Sequence, residues 1–445
     1  MIPAPFKRSL GALVIALLVA APAYGQSLKA AVERTLESNP DILIDASRRL
    51  SLDQALKGAR AAYLPRADLA LGGGREWSDN ATTRALGLPG DRALNRTEAS
   101  LTLTQMLFDG FAAKSEVERN QARVDSAASR LAGTSEQVAL QAVEAYLEVL
   151  RHRDLVELTR ENSGIHQRTF DQIKIRSDSG VGRRADLDQI NARLGLARAN
   201  LAAAEANLRD AEINFQRIVG TAPSSLAMPQ APAPAALPQS ADEAIRMALE
   251  SHPVLKSAEA DVEAANAQVR AAKSTLYPRF DLQVGATRNR NIDGLEGSSN
   301  DQFAMVRMRY NLFNGGADTA RINETVQLTS EARQIMERTR RQVAQSTRLS
   351  WNALTSVQER LPALRQHAES SAATRDAYTK QFSIGQRTLL DMLDAENETF
   401  TAASNYISGQ YLETFARYRV LADLGRLLAT LGVAPRPESL SASGR

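Results

Sequence analysis

Cysteine is absent from all 445 residues, which excludes disulfide bonds, thiolate metal sites and a lipid-modified N-terminal cysteine. Excess charge of one sign is also missing, because 54 Lys and Arg against 51 Asp and Glu leave a net charge of only +3. Nucleic-acid binders usually carry a clustered basic excess. After the N-terminal segment, no stretch approaches the roughly 20 consecutive apolar residues of a membrane-spanning helix. The composition therefore predicts no nucleic-acid partner and no transmembrane helix in the mature chain.

Residues that usually carry catalysis or hold cofactors are few. The histidines His152, His166, His252 and His367 show no spacing typical of metal ligands. The run Gly72-Gly73-Gly74 lies within an alternating pattern and is not followed by a helix, so it does not resemble a phosphate-binding loop. The sequence predicts neither an enzyme nor a cofactor.

The first 25 residues have the pattern of a secretory signal peptide. Lys7 and Arg8 precede an apolar run from 10 to 21, and Ala23-Tyr24-Gly25 forms a small-residue cleavage site before Gln26. The apolar run is about 12 residues long, too short to span a bilayer. The mature chain is therefore predicted to be exported.

Proline spacing indicates an internal duplication. Pro40 and Pro253, and likewise Pro65 and Pro278, are each separated by 213 residues. In both copies the first proline interrupts a helical pattern and the second ends it. We predict a first structural repeat at 26–220, a Pro-rich linker at 221–239, a second repeat at 240–432 and a disordered tail at 433–445.

An alternating apolar and polar pattern follows each terminating proline. Strands are predicted at 66–78, 97–108, 279–290 and 302–313, each about as long as a tilted membrane-spanning strand. One alternative is a soluble sheet, but Arg307 and Arg309 on the polar face of one strand favour a wet lumen. Four strands cannot close a barrel, whereas a homotrimer would supply twelve.

Very long helices follow the strands. Each second strand ends in Leu-Phe-Asp/Asn-Gly, at 107–110 and 312–315, which indicates a change from strand to helix. The long helices predicted at 111–177 and 316–383 would measure roughly 100 Å. They return through helices at 186–219 and 388–431, whose apolar residues alternate in steps of three and four. Such lengths are typical of a conduit or spacer.

The turns between these helices also match between the repeats. Val181-Gly182-Arg183-Arg184 corresponds to Ile384-Gly385-Gln386-Arg387, 203 residues further on. Thr388 can cap the following helix together with Asp391. Asp391 and Asp394 share a helix face. From the residues alone, these aspartates form either a cation-attracting cluster on a symmetry axis or a favourable charge at a helix N-terminus.

The chain resembles the TolC family of trimeric outer-membrane channels over its whole mature length. The resemblance rests on the duplicated halves, both Leu-Phe-Asp/Asn-Gly junctions and both tips. The segments 77–84, 105–110 and 180–189 are most similar to members that serve type I secretion, some of which export adhesins. The implied fold is mainly α with a membrane β part. In the trimer, four strands per chain form a twelve-stranded outer-membrane barrel, and long antiparallel helical hairpins form a twelve-helix periplasmic barrel.

The resemblance also implies partners and site residues. The partners would be outer-membrane lipid, a periplasmic adaptor and an inner-membrane ABC transporter, or a proton-driven pump if the channel serves multidrug efflux. A periplasmic coiled-coil scaffold without a pore is a further alternative. Asp391 and Asp394 would form the constriction, and Arg387 with Asp188 a closed-state lock. The chain has Phe382 and Leu187 where the family usually has tyrosine and threonine, so Arg387 and Asp188 would carry more of that lock. Adaptor docking would involve Val181, Gly182, Arg184, Ile384, Gly385 and Gln386.

Overall fold

The computed structural model describes residues 26–90 and 92–440, which form long helices and one antiparallel sheet. The predicted signal peptide lies outside these residues, as do the last five residues of the predicted tail. Within the described part of the chain, no helix is both long and apolar enough to cross a membrane.

Two similar successions of elements follow one another. The first repeat contains α1 (Leu28–Ser38), α2 (Pro40–Arg60), β1 (Arg66–Trp77), α3 (Ala81–Ala85), β2 (Ala93–Phe108), α4 (Ala112–Asp178) and α5 (Arg184–Val219). The second contains α6 (Ala241–Ser251), α7 (Pro253–Lys273), β3 (Arg279–Arg290), β4 (Ser298–Arg309), α8 (Ala317–Ser383), α9 (Leu389–Asp423) and α10 (Leu427–Leu431).

Equivalent contacts close the two repeats. Ser38 Oγ donates a hydrogen bond to the carbonyl of Val219 at 3.4 Å, at the end of α5. Its counterpart Ser251 donates in the same way to the carbonyl of Leu424 at 3.1 Å, just after α9. Each returning helix is thus tied to the turn between the two short helices of its own repeat, which is what a duplicated fold predicts.

The sheet has the order β1-β2-β3-β4, so β1 and β4 are its edges. Its two faces differ sharply in polarity. One face carries Asp281, which is fully buried and accepts hydrogen bonds from Arg279 at 3.0 Å and Arg309 at 2.9 Å. The opposite face exposes large apolar side chains from all four strands, namely Leu69, Leu71, Leu101, Leu103, Val284, Val306 and Met308.

Glycines in left-handed conformations connect the sheet to the long helices. Gly110 has φ +68° before α4, and Gly315 has φ +71° before α8. Asp109 accepts a hydrogen bond from the Ala113 amide at 2.8 Å, satisfying a free N–H of the first turn of α4. A short turn therefore leads from the strand into a helix of 67 residues in the first repeat, and a connection of residues 310–316 does so in the second.

The apolar core is concentrated on α4. Its middle portion, around Tyr146, packs against α1, the end of α5 and the second half of α9. A separate cluster near the far ends of the long helices joins α4, α5 and α9, and consists of Ile173, Ile190, Leu389, Met392 and Leu393. The two hairpins of the chain are therefore in contact at this far end.

Several predicted boundaries need correction. β2 begins at Ala93 instead of 97, and β4 spans Ser298–Arg309 instead of 302–313. The last long helix ends at Asp423 instead of 431, because Gly425 takes φ +65° and separates it from α10. Within the predicted linker, residues Pro234–Ala236 form a short 3-10 helix.

The described part of the predicted disordered tail is packed. Val433 is buried, and Arg436 donates a hydrogen bond to the carbonyl of Leu36 at 3.1 Å. Residues Pro437–Ser439 form a 3-10 helix. A polar, proline-containing sequence predicts disorder here, but the buried Val433 and the hydrogen bond from Arg436 to α1 hold this segment against the fold.

Candidate functional site

The candidate site lies at the tips of the two long hairpins, where α4 turns into α5 and α8 into α9. In the first tip the left-handed residue is Gly180, with φ +76°. Gly182 instead makes a close approach, since its amide donates to the Arg176 carbonyl at 2.8 Å and an added Cβ would lie 2.9 Å from Ser177 N. In the second tip Gly385 itself is left-handed, with φ +80°. The two tips thus match in sequence but differ in backbone.

The predicted adaptor-docking residues lie on the surface of these tips. Val181 is 84% exposed and Ile384 is 68% exposed, which is unusual for branched apolar side chains. Both side chains are therefore accessible to a partner. Of the other predicted docking residues, Arg184, Gly385 and Gln386 are also exposed, and Gly182 is half-buried.

Asp391 forms the capping box that begins α9. Its carboxylate accepts hydrogen bonds from the Thr388 amide at 3.1 Å and the Thr388 hydroxyl at 2.8 Å, while its own amide donates to Thr388 Oγ1 at 3.2 Å. The hydrogen bond from the Thr388 side chain lowers the pKa of Asp391. The capping role considered from the sequence is therefore present, and Asp391 keeps its negative charge while it caps.

Asp394 is bound to the other hairpin. Arg193 Nη2 on α5 lies 3.2 Å from Asp394 Oδ1 on α9. No sequence pattern assigns a role to Arg193. The sequence contains only a weak signal for this position, namely that the match between the repeats aligns Arg193 with Glu396.

Glu396 completes a set of three carboxylates on the first turns of α9, each held by a different element. Its side chain is only 6% exposed and lies 3.7 Å from Arg375 Nη1 on α8. Burial raises the pKa of Glu396, and Arg375 opposes that effect. The base of α9 is therefore tied to its own N-terminus, to α5 and to α8.

Arg387 and Asp188 do not contact each other within one chain. Arg387 stacks on the Tyr378 ring, 4.2 Å from its centre, and its Nε donates to Gln381 Oε1 at 3.1 Å. Asp188 lies 3.7 Å from Arg184 on its own helix. Each of the two side chains is thus held by its own hairpin.

The two departures from the family pattern pack in the apolar cluster near the tips. Phe382 and Leu187 both lie against it, and the Arg176 guanidinium lies 5.6 Å from the centre of the Phe382 ring. Phe382 therefore makes apolar and cation–π contacts at this position.

Buried polar atoms lie directly behind this site on α4. Asn162 Oδ1 and His166 Nδ1 are both buried and have no hydrogen-bond partner. Burial lowers the pKa of His166, and the positive charge of Arg193 lowers it further. Within residues 26–90 and 92–440, no group of three or more His, Asp or Glu side chains could hold a metal ion.

Comparison with known proteins defines the class of this fold and site. A model of the outer membrane efflux protein family matches residues 31–221 and 244–426, one segment in each repeat. The chain is 27% identical to the outer membrane efflux protein BepC of Brucella suis, over 74% of this chain and 72% of that protein. It is 25% identical to the alkaline protease secretion protein AprF of Pseudomonas aeruginosa, over 91% and 86% respectively.

Solved channel structures share the fold. The outer-membrane channel CmeC of Campylobacter jejuni superposes with a TM-score of 0.79, at 15% identity, over 94% of this chain and 90% of that one. The outer-membrane channel OprN gives 0.76 at 19% identity, over 90% of each chain. These likenesses confirm the predicted fold class of long helical hairpins with a β part.

The chain belongs to the outer membrane efflux protein family. Its relatives include TolC of Escherichia coli, at 24% identity over 88% of this chain and 80% of that protein, so the predicted TolC-family resemblance is confirmed. The protein is an outer-membrane channel component that extends into the periplasm. The family is one of channels and not of enzymes.

Proposed function

We propose that the protein works as a homotrimer, the outer channel of a type I secretion system that exports proteins across periplasm and outer membrane. The observation that carries the trimeric channel is the single sheet, with an apolar outer face and two unpaired edges. Open strand edges are not tolerated in lipid. Three copies would pair every edge and close a barrel of twelve strands.

The helical part supports a continuous conduit below that barrel. At about 1.5 Å per residue, a helix of 67 residues extends roughly 100 Å. Apolar side chains exposed on α5 and α8, such as Leu196, Ile213, Val326 and Leu349, are available for packing between protomers. Three pairs of hairpins would then form a tunnel of twelve helices that ends at the tips.

The tips are the proposed gate and docking surface. Asp391 and Asp394 would narrow the aperture as a ring of carboxylates, and Arg387 would bind Asp188 across the protomer interface in the closed state. A periplasmic adaptor and an inner-membrane ABC transporter would engage the tips around Val181 and Ile384. Their exposure in the single chain supports this placement.

Secretion is favoured over efflux by the extent of one similarity. The relative named for alkaline protease secretion matches 91% of this chain. The family description and BepC carry the word efflux. Export of small amphiphiles through a proton-driven pump is therefore the second candidate.

Deletion of the gene in its own host separates the two candidates. For secretion, we expect one or a few large proteins to disappear from the medium and cell surface while drug susceptibility stays within about twofold of the parent. Proteomics of the medium measures the exported proteins, and inhibitory concentrations for several drug classes measure drug susceptibility. Complementation from a plasmid is the control. Sensitisation to several unrelated drugs with an unchanged set of exported proteins would reject secretion in favour of efflux.

A further inference from the structure

One ion pair at the tips crosses between the two repeats of the same chain. Arg193 follows Ile190 on α5, and Asp394 follows Leu393 on α9; both apolar residues are buried in the cluster that joins the hairpins. This packing places the Arg193 guanidinium 3.2 Å from the Asp394 carboxylate. Asp391, one turn away, is held by Thr388; the charge of Arg387 contributes to lowering its pKa, but the two side chains form no ion pair within the chain. The two aspartates of the proposed ring are thus electrostatically different.

Arg193 is partly exposed and carries a permanent positive charge. Its side chain is 34% exposed. The positive charge of Arg193 also lowers the pKa of the buried His166 on α4. A guanidinium remains protonated under all physiological conditions, so its charge is a permanent part of the aperture.

We propose that Arg193 sets the charge and ion selectivity of the aperture by neutralising Asp394. This inference rests on the proposed trimeric channel. In the trimer, three of the six carboxylates at the constriction would be offset by arginines from the same protomers. The ring would then attract cations less strongly than six free carboxylates, which leaves the passage less obstructed by divalent cations.

The Arg193–Asp394 ion pair is partly exposed, so we expect its removal to affect ion permeation and not folding stability. Half-exposed ion pairs contribute little to folding stability, so removal of Arg193 should leave the trimer intact. Three positive charges would nevertheless be lost close to the pore axis. At low ionic strength, the Debye length of about 30 Å exceeds the width of such an aperture, so that loss acts on every permeating ion.

The test is single-channel recording of purified trimers in planar bilayers at about 0.01 M salt, with Mg²⁺ as the probe. We expect Arg193→Gln to lower the Mg²⁺ concentration for half-block about tenfold and to raise the cation-over-anion permeability ratio. Arg193→Lys should behave as wild type. Arg193→Gln combined with Asp394→Asn should return half-block to within about twofold of the wild-type value, because one charge of each sign is lost.

A matched control removes a charge from the same helix without touching α9. Arg198 on α5 donates to Gln167 Oε1 on α4 at 2.7 Å, and Arg198→Gln should leave half-block near wild type. If Arg193→Gln shifts half-block no more than Arg198→Gln does, the inference is wrong although the channel stands. If confirmed wild-type trimers give no channels at all, the proposed function fails and this inference with it.

Discussion

Three acidic residues in the first turns of α9 serve different purposes. Asp391 caps the helix, Asp394 binds Arg193 across the hairpins, and Glu396 is buried beside Arg375. A sequence pattern identifies the shared face of Asp391 and Asp394, because helical spacing is local. It cannot identify Arg193 as a partner, because the register between two hairpins depends on packing that no local pattern encodes.

The proposed lock gives a prediction at the residue scale. Replacing both Arg387→Ala and Asp188→Ala should raise the fraction of time that channels spend open by about tenfold, if three exposed pairs contribute about 0.5 kcal/mol each. Single-channel recording at low voltage measures this fraction.

The matched control for the lock is Arg365→Ala on α8. Arg365 lies 2.8 Å from Glu369 on its own helix and has no place in the proposed gate. A double variant that opens no more often than this control would remove Arg387 and Asp188 from the gate.

At the scale of elements, the duplication places equivalent residues in unequal surroundings. The Leu-Phe-Asp/Asn-Gly pattern identifies both strand-to-helix junctions, because glycine there takes a left-handed conformation in both repeats. The sequence does not distinguish them. An added Cβ on Gly110 would lie 2.5 Å from the carbonyl oxygen of Ser274, whereas Gly315 has open space around it.

This difference predicts unequal costs for the same substitution. Gly315→Ala should lower stability by about 1 kcal/mol, the penalty of a left-handed alanine. Gly110→Ala adds a clash with rigid backbone and should cost about 2–4 kcal/mol. Thermal unfolding of the two variants in detergent, followed by circular dichroism, compares them directly. Equal midpoints would mean that the junction before α4 relaxes around the new methyl group.

Missed element boundaries have a common physical cause. The sequence places the end of the last helix at 431, because apolar spacing continues past Asp423, but Gly425 fits against the ring of Pro253 and interrupts the helix there. The tail was predicted to be disordered, yet Arg436 reaches Leu36. In both places a contact with a distant part of the chain overrides the local pattern.

At the scale of the whole molecule, the polarity of the sheet predicts its environment. Leu101 lies on the exposed apolar face, and its neighbour Thr102 points to the face of Asp281. Leu101→Arg should cost about 2–4 kcal/mol in each protomer at the middle of a bilayer. It should therefore sharply reduce the trimer recovered from the outer membrane.

Thr102→Arg introduces the same side chain one position along the strand and serves as the matched control. It should insert normally, because a lumen-facing charge stays in water. Fractionation and unheated gel electrophoresis measure both variants. Equal recovery would argue that the apolar face does not contact lipid and would favour a soluble sheet.

The two unpaired edges of the sheet also bear on the kinetics of biogenesis. A solitary chain has no low-energy route into lipid, because both edges would lose their hydrogen bonds to water. In the proposed trimer, membrane insertion would then follow or accompany the meeting of three chains. The rate of insertion would then depend on the concentration of newly exported subunits with a kinetic order above one. Slow export would therefore prolong the lifetime of an intermediate with an exposed apolar sheet, the species most open to proteolysis and aggregation.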